Sequence, residues 1–296
     1  MPRCTRKFRP RTVVALVMRT PYNLLKSALF LMGEATLTKH QICLASSQAF
    51  YEGFSRAFRD PDLSGIEADL TGIRFLFPWQ LTLSACLKRL CEGRIDLTFS
   101  WNKARASQNE IAAYAAQVGL FDKPETIEAD PYFNAENYCA LYSIDKTHDP
   151  FIVDRLQVLL KRVPEFARPL ASALSELADN IVQHSGRTED EGWGFVQAQA
   201  TGSRFRIAFC DFGVGHYKTY QRSHSLNGRG PLEVLETSLK GHGLTRVCEV
   251  IDAHKGVMEI YSDGLRCRYS QGKKVTKVLG FRTKGTLISI EIPVRS

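Results

Sequence analysis

The chain has 296 residues, 44% of them hydrophobic and 24% charged, with a formal net charge of +8. That composition supports a buried core and excludes an intrinsically disordered chain, and the length suits two ordinary domains. No run reaches the roughly 18 uncharged apolar residues of a spanning helix, so no membrane span is expected. Residues 1–33 hold seven basic side chains (Arg3, Arg6, Lys7, Arg9, Arg11, Arg19, Lys26) and no acid. The remainder is close to neutral, so the excess is a local arm rather than a basic body, which argues against nucleic acid as the partner. The arm reads as disordered or as sequence ahead of a later start at Met18 or Met32, with a targeting or membrane-surface segment as the alternative.

Residues 34–125 alternate between two kinds of pattern. Ile66 to Leu70 is a short strand, Trp79 to Cys91 has helical spacing, Ile95 to Phe99 is another strand, and a helix runs from about Asn109 to Val118. Strands alternating with helices predict a parallel or mixed sheet covered by helices. The stretch Asp69-Leu70-Thr71-Gly72-Ile73-Arg74-Phe75-Leu76 resembles the D-L-S-G-V-x-F-I of STAS domains, the fold of anti-sigma-factor antagonists. In phosphorylatable members the next residues are Asp-Ser; here they are Phe77-Pro78, followed by Trp79. Pro accepts no phosphate, although it suits the first turn of a helix. The resemblance therefore implies a docking or regulatory platform. Asp122 to Asn137 is rich in acid and Pro, with Asp-Pro at 130–131, and places a linker over 126–137.

In the second half, Tyr138 to Ile144 reads as a first strand. A helical tract follows from about Pro150, interrupted near Pro164 and Pro169, and leads into Glu176-Leu177-Ala178-Asp179-Asn180-Ile181-Val182-Gln183-His184-Ser185. At about 100° per residue, Glu176, Asn180 and His184 share one helix face, while Leu174, Leu177, Ile181 and Val182 can pack into a core. The Glu can polarise a water or hydroxyl, and the Asn oxygen can ligate a hard cation such as Mg²⁺. An ordinary solvated polar stripe carries the same residues. Further along, Phe205, Ile207 and Phe209 alternate as a half-buried strand that runs into Asp211, Phe212, Gly213, Val214 and Gly215. An Asp at a strand end offers only acceptors, suited to an exocyclic amine such as adenine's. Gly241-His242-Gly243-Leu244 opens the apolar helix to Ala253, and backbone N–H groups at such a start suit phosphate. Gly285-Thr286 leads into an alternating strand, Leu287 to Pro293.

Taken in order, these four pieces resemble the boxes of the GHKL ATPase superfamily. Glu176, Asn180 and His184 match its E-x-x-x-N-x-x-x-H, and Asp211, Gly213 and Gly215 match its D-x-G-x-G. Gly241, Gly243 and Leu244 match the end of its G-x-G-x-G-L, whose first glycine is Leu239 here, and Gly285-Thr286 matches its final G-T. The resemblance implies an α+β two-layer sandwich of the GHKL (Bergerat) type over 138–296, preceded by the smaller α/β STAS-like domain. It also implies ATP and Mg²⁺ as cofactors, with Asn180 holding the metal and Glu176 as the catalytic residue. His184, Asp211, Gly213, Gly215, Gly241, Gly243, Leu244 and Thr286 complete the nucleotide site, and His216 to Lys240 is the lid. A sensor histidine kinase needs a phosphoacceptor His ahead of the first box, and the nearby His148 precedes an Asp-Pro turn. Gyrase-like members continue into a transducer, whereas here Pro293 lies three residues from the end. The compact serine-kinase and anti-sigma-factor branch is the one expected.

The expected activity is protein serine/threonine kinase or ATPase in bacterial signalling, with a non-catalytic ATP-responsive switch as the alternative. The expected partner is a STAS-type antagonist, a sigma factor or another regulator, and a homodimer is compatible. The eight cysteines form no C-x-x-C pair and read as small buried hydrophobes in a reducing cytoplasm. A basic cluster from Arg266 to Lys284 lies on a hairpin around Ser270-Gln271-Gly272 and reads as an edge ribbon protected by charge. The STAS-like half is expected to dock near the lid, with Phe77-Pro78-Trp79 as an acceptor-free stand-in for a substrate.

Overall fold

Three parallel strands and seven antiparallel strands account for the sheets of this computed structural model, which describes residues 38–71, 73–120, 137–146, 156, 159–161, 163–186, 192–239 and 242–294. The basic arm, Gly241 and all of the linker but Asn137 lie outside those residues. The first half runs β1 (Thr38–Cys43), α1 (Ser47–Ala57), β2 (Leu63–Asp69), α2 (Pro78–Cys91), β3 (Asp96–Ser100) and α3 (Ala106–Gln117). Each strand–helix–strand crossover returns a parallel strand to the side of the last, in the order β1-β2-β3. Local chemistry sets the helix starts. Ser46 Oγ accepts from the Ala49 N–H at 3.0 Å to cap α1. Pro78 opens α2, and Gln80 Oε1 accepts from the Phe77 N–H at 2.7 Å.

The second half continues with β4 (Tyr142–Asp145), α4 (Pro164–His184), β5 (Trp193–Thr201), β6 (Arg204–Asp211), α5 (His216–Ser223), α6 (Pro231–Ser238) and α7 (His242–His254). Four strands close it: β7 (Val257–Ser262), β8 (Leu265–Ser270), β9 (Lys273–Val278) and β10 (Thr286–Pro293). The antiparallel sheet has the order β4-β5-β6-β10-β7-β8-β9. The helix α4 runs unbroken through Pro169, contrary to the interruption expected there. A Pro in the second turn removes one backbone bond, to Glu165 at the exposed helix start, and the buried stripe Phe166, Leu170, Leu174, Leu177 and Ile181 holds the rest.

Both faces of the large sheet are covered. On one, Phe205, Ile207 and Phe209 of β6 pack with the buried face of α4 and with Val247 and Ile251 of α7. On the other, Ala208 and Cys210 join a core built from α1 and α2, including Phe50, Tyr51, Phe54 and Leu83. The strand expected to be half-buried is thus buried on both sides from Ile207 to Asp211. The junction has specific contacts. Cys86 Sγ donates to the Cys210 carbonyl at 3.3 Å, Phe54 meets Phe212 edge-on at 5.1 Å, and Gln199 Nε2 donates to the Leu76 carbonyl at 2.8 Å. Thr38–Ser296 accordingly forms one compact unit. Phe77 lies under the Arg206 guanidinium at 5.2 Å, and Trp79 packs against the same junction core. The stand-in segment therefore sits on the sheet face opposite the lid, which corrects the expected docking near it.

Among the described residues no helix is long and apolar enough to cross a membrane. Of the described cysteines, all free, only Cys43 is exposed; burial holds Cys91 up at about 11 and Cys139 and Cys248 at about 12.

Candidate functional site

A cavity of about 760 Å³ opens between α4, the ends of β6 and β10, the α5–α6 segment and the start of α7. Glu176, Asn180 and His184 line one wall, one helical turn apart on α4. Asp211 lies at the end of β6, directly opposite Thr286, the first residue of β10. Gly215 and Leu244 complete the set of sequence-selected residues that meet here. Gly213 stands behind the lining, bonded to Asp211, and Gly243 lies in the first turn of α7. Leu239, where the resemblance to the G-x-G-x-G-L box would place a glycine, ends α6 as a buried core residue.

Backbone approach fixes this arrangement. A Cβ on Gly213 would lie 1.8 Å from the Ser185 carbonyl oxygen, so only glycine lets the β6 exit loop touch the end of α4. The Val214 N–H donates to that same carbonyl at 3.0 Å. Gly285 has φ +65°, and its Cβ would fall 2.1 Å from the Asp211 carbonyl oxygen. The two glycines thus hold Asp211 between the helix end and β10.

Asp211 is almost wholly buried, at 6% exposure. Its Oδ1 accepts from the Gly213 N–H at 2.7 Å, and a Thr286 N–H bond also stabilises the charge. Loss of solvation outweighs both bonds, and nearby Asp263 adds to it, so the carboxyl is pushed up to about 7. A buried acid with a strongly raised pKa at a cavity wall marks a candidate functional site.

Several cavity residues were not selected from the sequence. His216, Thr219, Tyr220 and His224 come from α5 and the residue after it, and Thr237 and Ser238 from α6. Tyr220 and His224 stack with centroids 4.4 Å apart. Burial lowers the pKa of His216, against the opposing pull of Asp263. Behind them, Ser262 Oγ accepts from the His216 N–H at 2.9 Å and Asp263 Oδ2 from the Tyr217 N–H at 2.7 Å, anchoring α5 to the end of β7. The Ser-Asp-Gly turn at 262–264 was the available signal, since Asp263 takes φ 52° and caps a helix 46 residues away in sequence.

Glu176 has a partner that spacing does not reveal. Arg246, on α7, places Nη1 3.0 Å from Glu176 Oε1 and also donates to Ser172 Oγ. The carboxylate that would take a proton is thus shared with a guanidinium. Asn180 is solvent-accessible in the cavity and offers one amide oxygen to a metal. Among the described residues no group of three or more His, Cys, Asp or Glu is placed to hold a metal ion. A Mg²⁺ ion here would take most of its ligands from phosphate and water, as that cation commonly does.

Compared with known proteins, the chain matches no family model and no curated protein.

Proposed function

We propose that residues 138–296 form a GHKL-type domain whose cavity binds Mg²⁺-ATP, in a cytoplasmic regulatory protein that acts on a protein partner. The observation that carries this reading is convergence. Glu176, Asn180 and His184, then Asp211 and Gly215, then Leu244, then Thr286 come from four separate stretches and line one cavity. Its volume lies within the roughly 300–1,000 Å³ of ordinary ligand pockets. The buried Asp211 supplies an acceptor for an adenine amine, and the tight backbone at Gly213 and Gly285 holds it there. Asn180 is the residue to hold Mg²⁺, which when bound would neutralise phosphate charge. Glu176 is the residue to take a proton from the attacking hydroxyl or water, once Arg246 releases it. The partner of best fit is a STAS-type antagonist, a sigma factor or another regulator, and the activity is serine/threonine kinase or ATPase.

A second reading, a non-catalytic ATP-responsive switch, is favoured by the Glu176–Arg246 ion pair and by Leu239 in place of a glycine. Purified protein incubated with γ-labelled ATP and Mg²⁺, alone and with cell extract, tests both. The enzyme reading expects phosphate release or transfer that Glu176→Gln abolishes while retaining nucleotide. Binding without turnover selects the switch, and equal turnover by the variant returns Glu176 to a solvated stripe.

A further inference from the structure

The far edge of the seven-stranded sheet carries a second surface, remote in the strand order from the cavity. β9 is the outermost strand, and nearly all its residues are exposed. Among the described residues one side of its backbone therefore has N–H and C=O groups without a neighbouring strand, the arrangement that accepts an added strand. Val275 and Val278 are 66% and 71% exposed and, with Leu232, are the exposed large hydrophobics among the described residues. Where β9 ends, a groove of about 470 Å³ continues between residues 277–281 and the outer side of α1. Arg56, Arg59 and Lys277 line it beside Phe281, with Glu52 as its one carboxylate.

Charge decides what fits. Lys274 is paired with Glu236, and Glu259 holds both Arg266 and Arg268 on β8. Among the described residues Arg56, Lys273 and Lys277 form no ion pair. Lysines on an edge strand repel a second basic edge and admit an acidic one. Two copies joined edge to edge would bring Lys273, Lys274 and Lys277 of each together, so a second copy is disfavoured. The chain's own residues 1–33 carry no acid and do not match either.

We propose that β9 and the adjoining groove are a docking site for an extended acidic segment of a partner protein. The segment adds to β9 as a strand, sets one apolar side chain beside Val275 on one face of the sheet and another beside Val278 on the opposite face, continues toward Phe281, and directs carboxylates to Lys277, on the Val275 face, and to Arg56. Main-chain bonds give the affinity and the cations give the selection.

The test uses the full chain without nucleotide, so its outcome is independent of the ATP reading. Random peptides of about twelve residues are displayed and selected on the parent and on the Arg56→Glu/Lys277→Glu variant, whose thermal melting is checked against the parent. The parent is expected to enrich extended peptides that combine Asp or Glu with Val, Ile or Leu, and the variant is not. A labelled enriched peptide should then bind about tenfold or more weakly to the variant by fluorescence anisotropy. N-methylation at alternate residues should abolish binding in one of the two possible sets and spare it in the other, because only every second N–H of an added strand faces β9. Enrichment of basic or uncharged peptides, equal enrichment by both proteins, or equal effects of the two N-methylated sets would overturn the proposal. Displacement of the peptide by a short single-stranded RNA that binds more tightly, dependent on Arg56 and Lys277, would instead identify a nucleic-acid surface and overturn it as well.

Discussion

On one face of the seven-stranded sheet, α4 and the start of α7 border a cavity with polar and apolar side chains in its wall; on the other, α1 and α2 press aliphatic and aromatic side chains onto the same strands. β6 serves both. Its Phe205, Ile207 and Phe209 face the cavity side, while Ala208 and Cys210 face α2. Small residues on the second face let α2 approach closely enough for Cys86 to reach the Cys210 carbonyl. The difference separates two kinds of specification. The cavity face is defined by a few residues whose backbone contacts tolerate no substitution, and the covered face by volume, which many side chains supply.

The largest expected effect breaks the covered face. Phe54→Ala removes a nearly buried ring that packs on Phe212, at a cost of about 3–5 kcal/mol. Because the first half is built into the core of the second, thermal unfolding followed by tryptophan fluorescence should move as one transition, by on the order of 10 °C. Early melting of the first half alone, with the remainder unmoved, would show the two to be independent.

Next comes the titration of the cavity face. With Asp211 raised to about 7 in the folded, ligand-free protein, the folded state binds its proton more tightly than the unfolded chain does. This group therefore favours folding at low pH, and the benefit is lost as pH rises from about 4 through about 7, on the order of 4 kcal/mol in all. Asp211→Asn does not titrate, so between pH 5 and pH 8 it should lose less stability in urea melts than the parent. Parallel pH profiles for the two proteins would contradict the burial assigned to Asp211.

Gly213→Ala sharpens the contrast between faces. One added methyl group meets the Ser185 carbonyl rather than a yielding side chain, and the expected cost is about 1–3 kcal/mol together with lost nucleotide binding. Ala208→Gly on the covered face, measured the same way, should leave nucleotide binding intact. The smallest stability effect belongs to Arg246→Ala, below about 1 kcal/mol because the pair is substantially exposed. Its signal is kinetic: freeing Glu176 should raise single-turnover ATP cleavage, and a fall would make Arg246 a positioning residue for the phosphates.

These contrasts follow how each face is written in the chain. Residues at the cavity are local patterns: four-residue spacing on α4, an Asp at a strand end, glycines beside it. Each is readable within about a dozen residues. In the first half β2, β3, α2 and α3 were legible for the same reason, and α2 and α3 lie where the periodicity put them, whereas β1 and α1 were not read from the sequence. The junction was not legible. Its signal on β5 is disguised, because Gln197 and Gln199 are polar yet wholly buried, and their amides donate to the Tyr114 hydroxyl from α3. A polar residue in a strand reads as solvent-facing until its partner is known. Arg246 escaped for a related reason. A charged side chain on a helix is ordinary, and only the packing of α7 against α4 brings it to Glu176. Leu239 shows the reverse case: where the resemblance expects a glycine, the structure has a buried core side chain.

The central claim is that the cavity face recognises a nucleotide through Asp211. Titration of Mg²⁺-ATP into the parent and into Asp211→Ala at pH 8, where the parent carboxylate is ionised, tests it most directly. The account predicts saturable binding by the parent and an affinity about ten- to a hundredfold weaker for the variant. Equal affinities, or no binding by the parent, would contradict it.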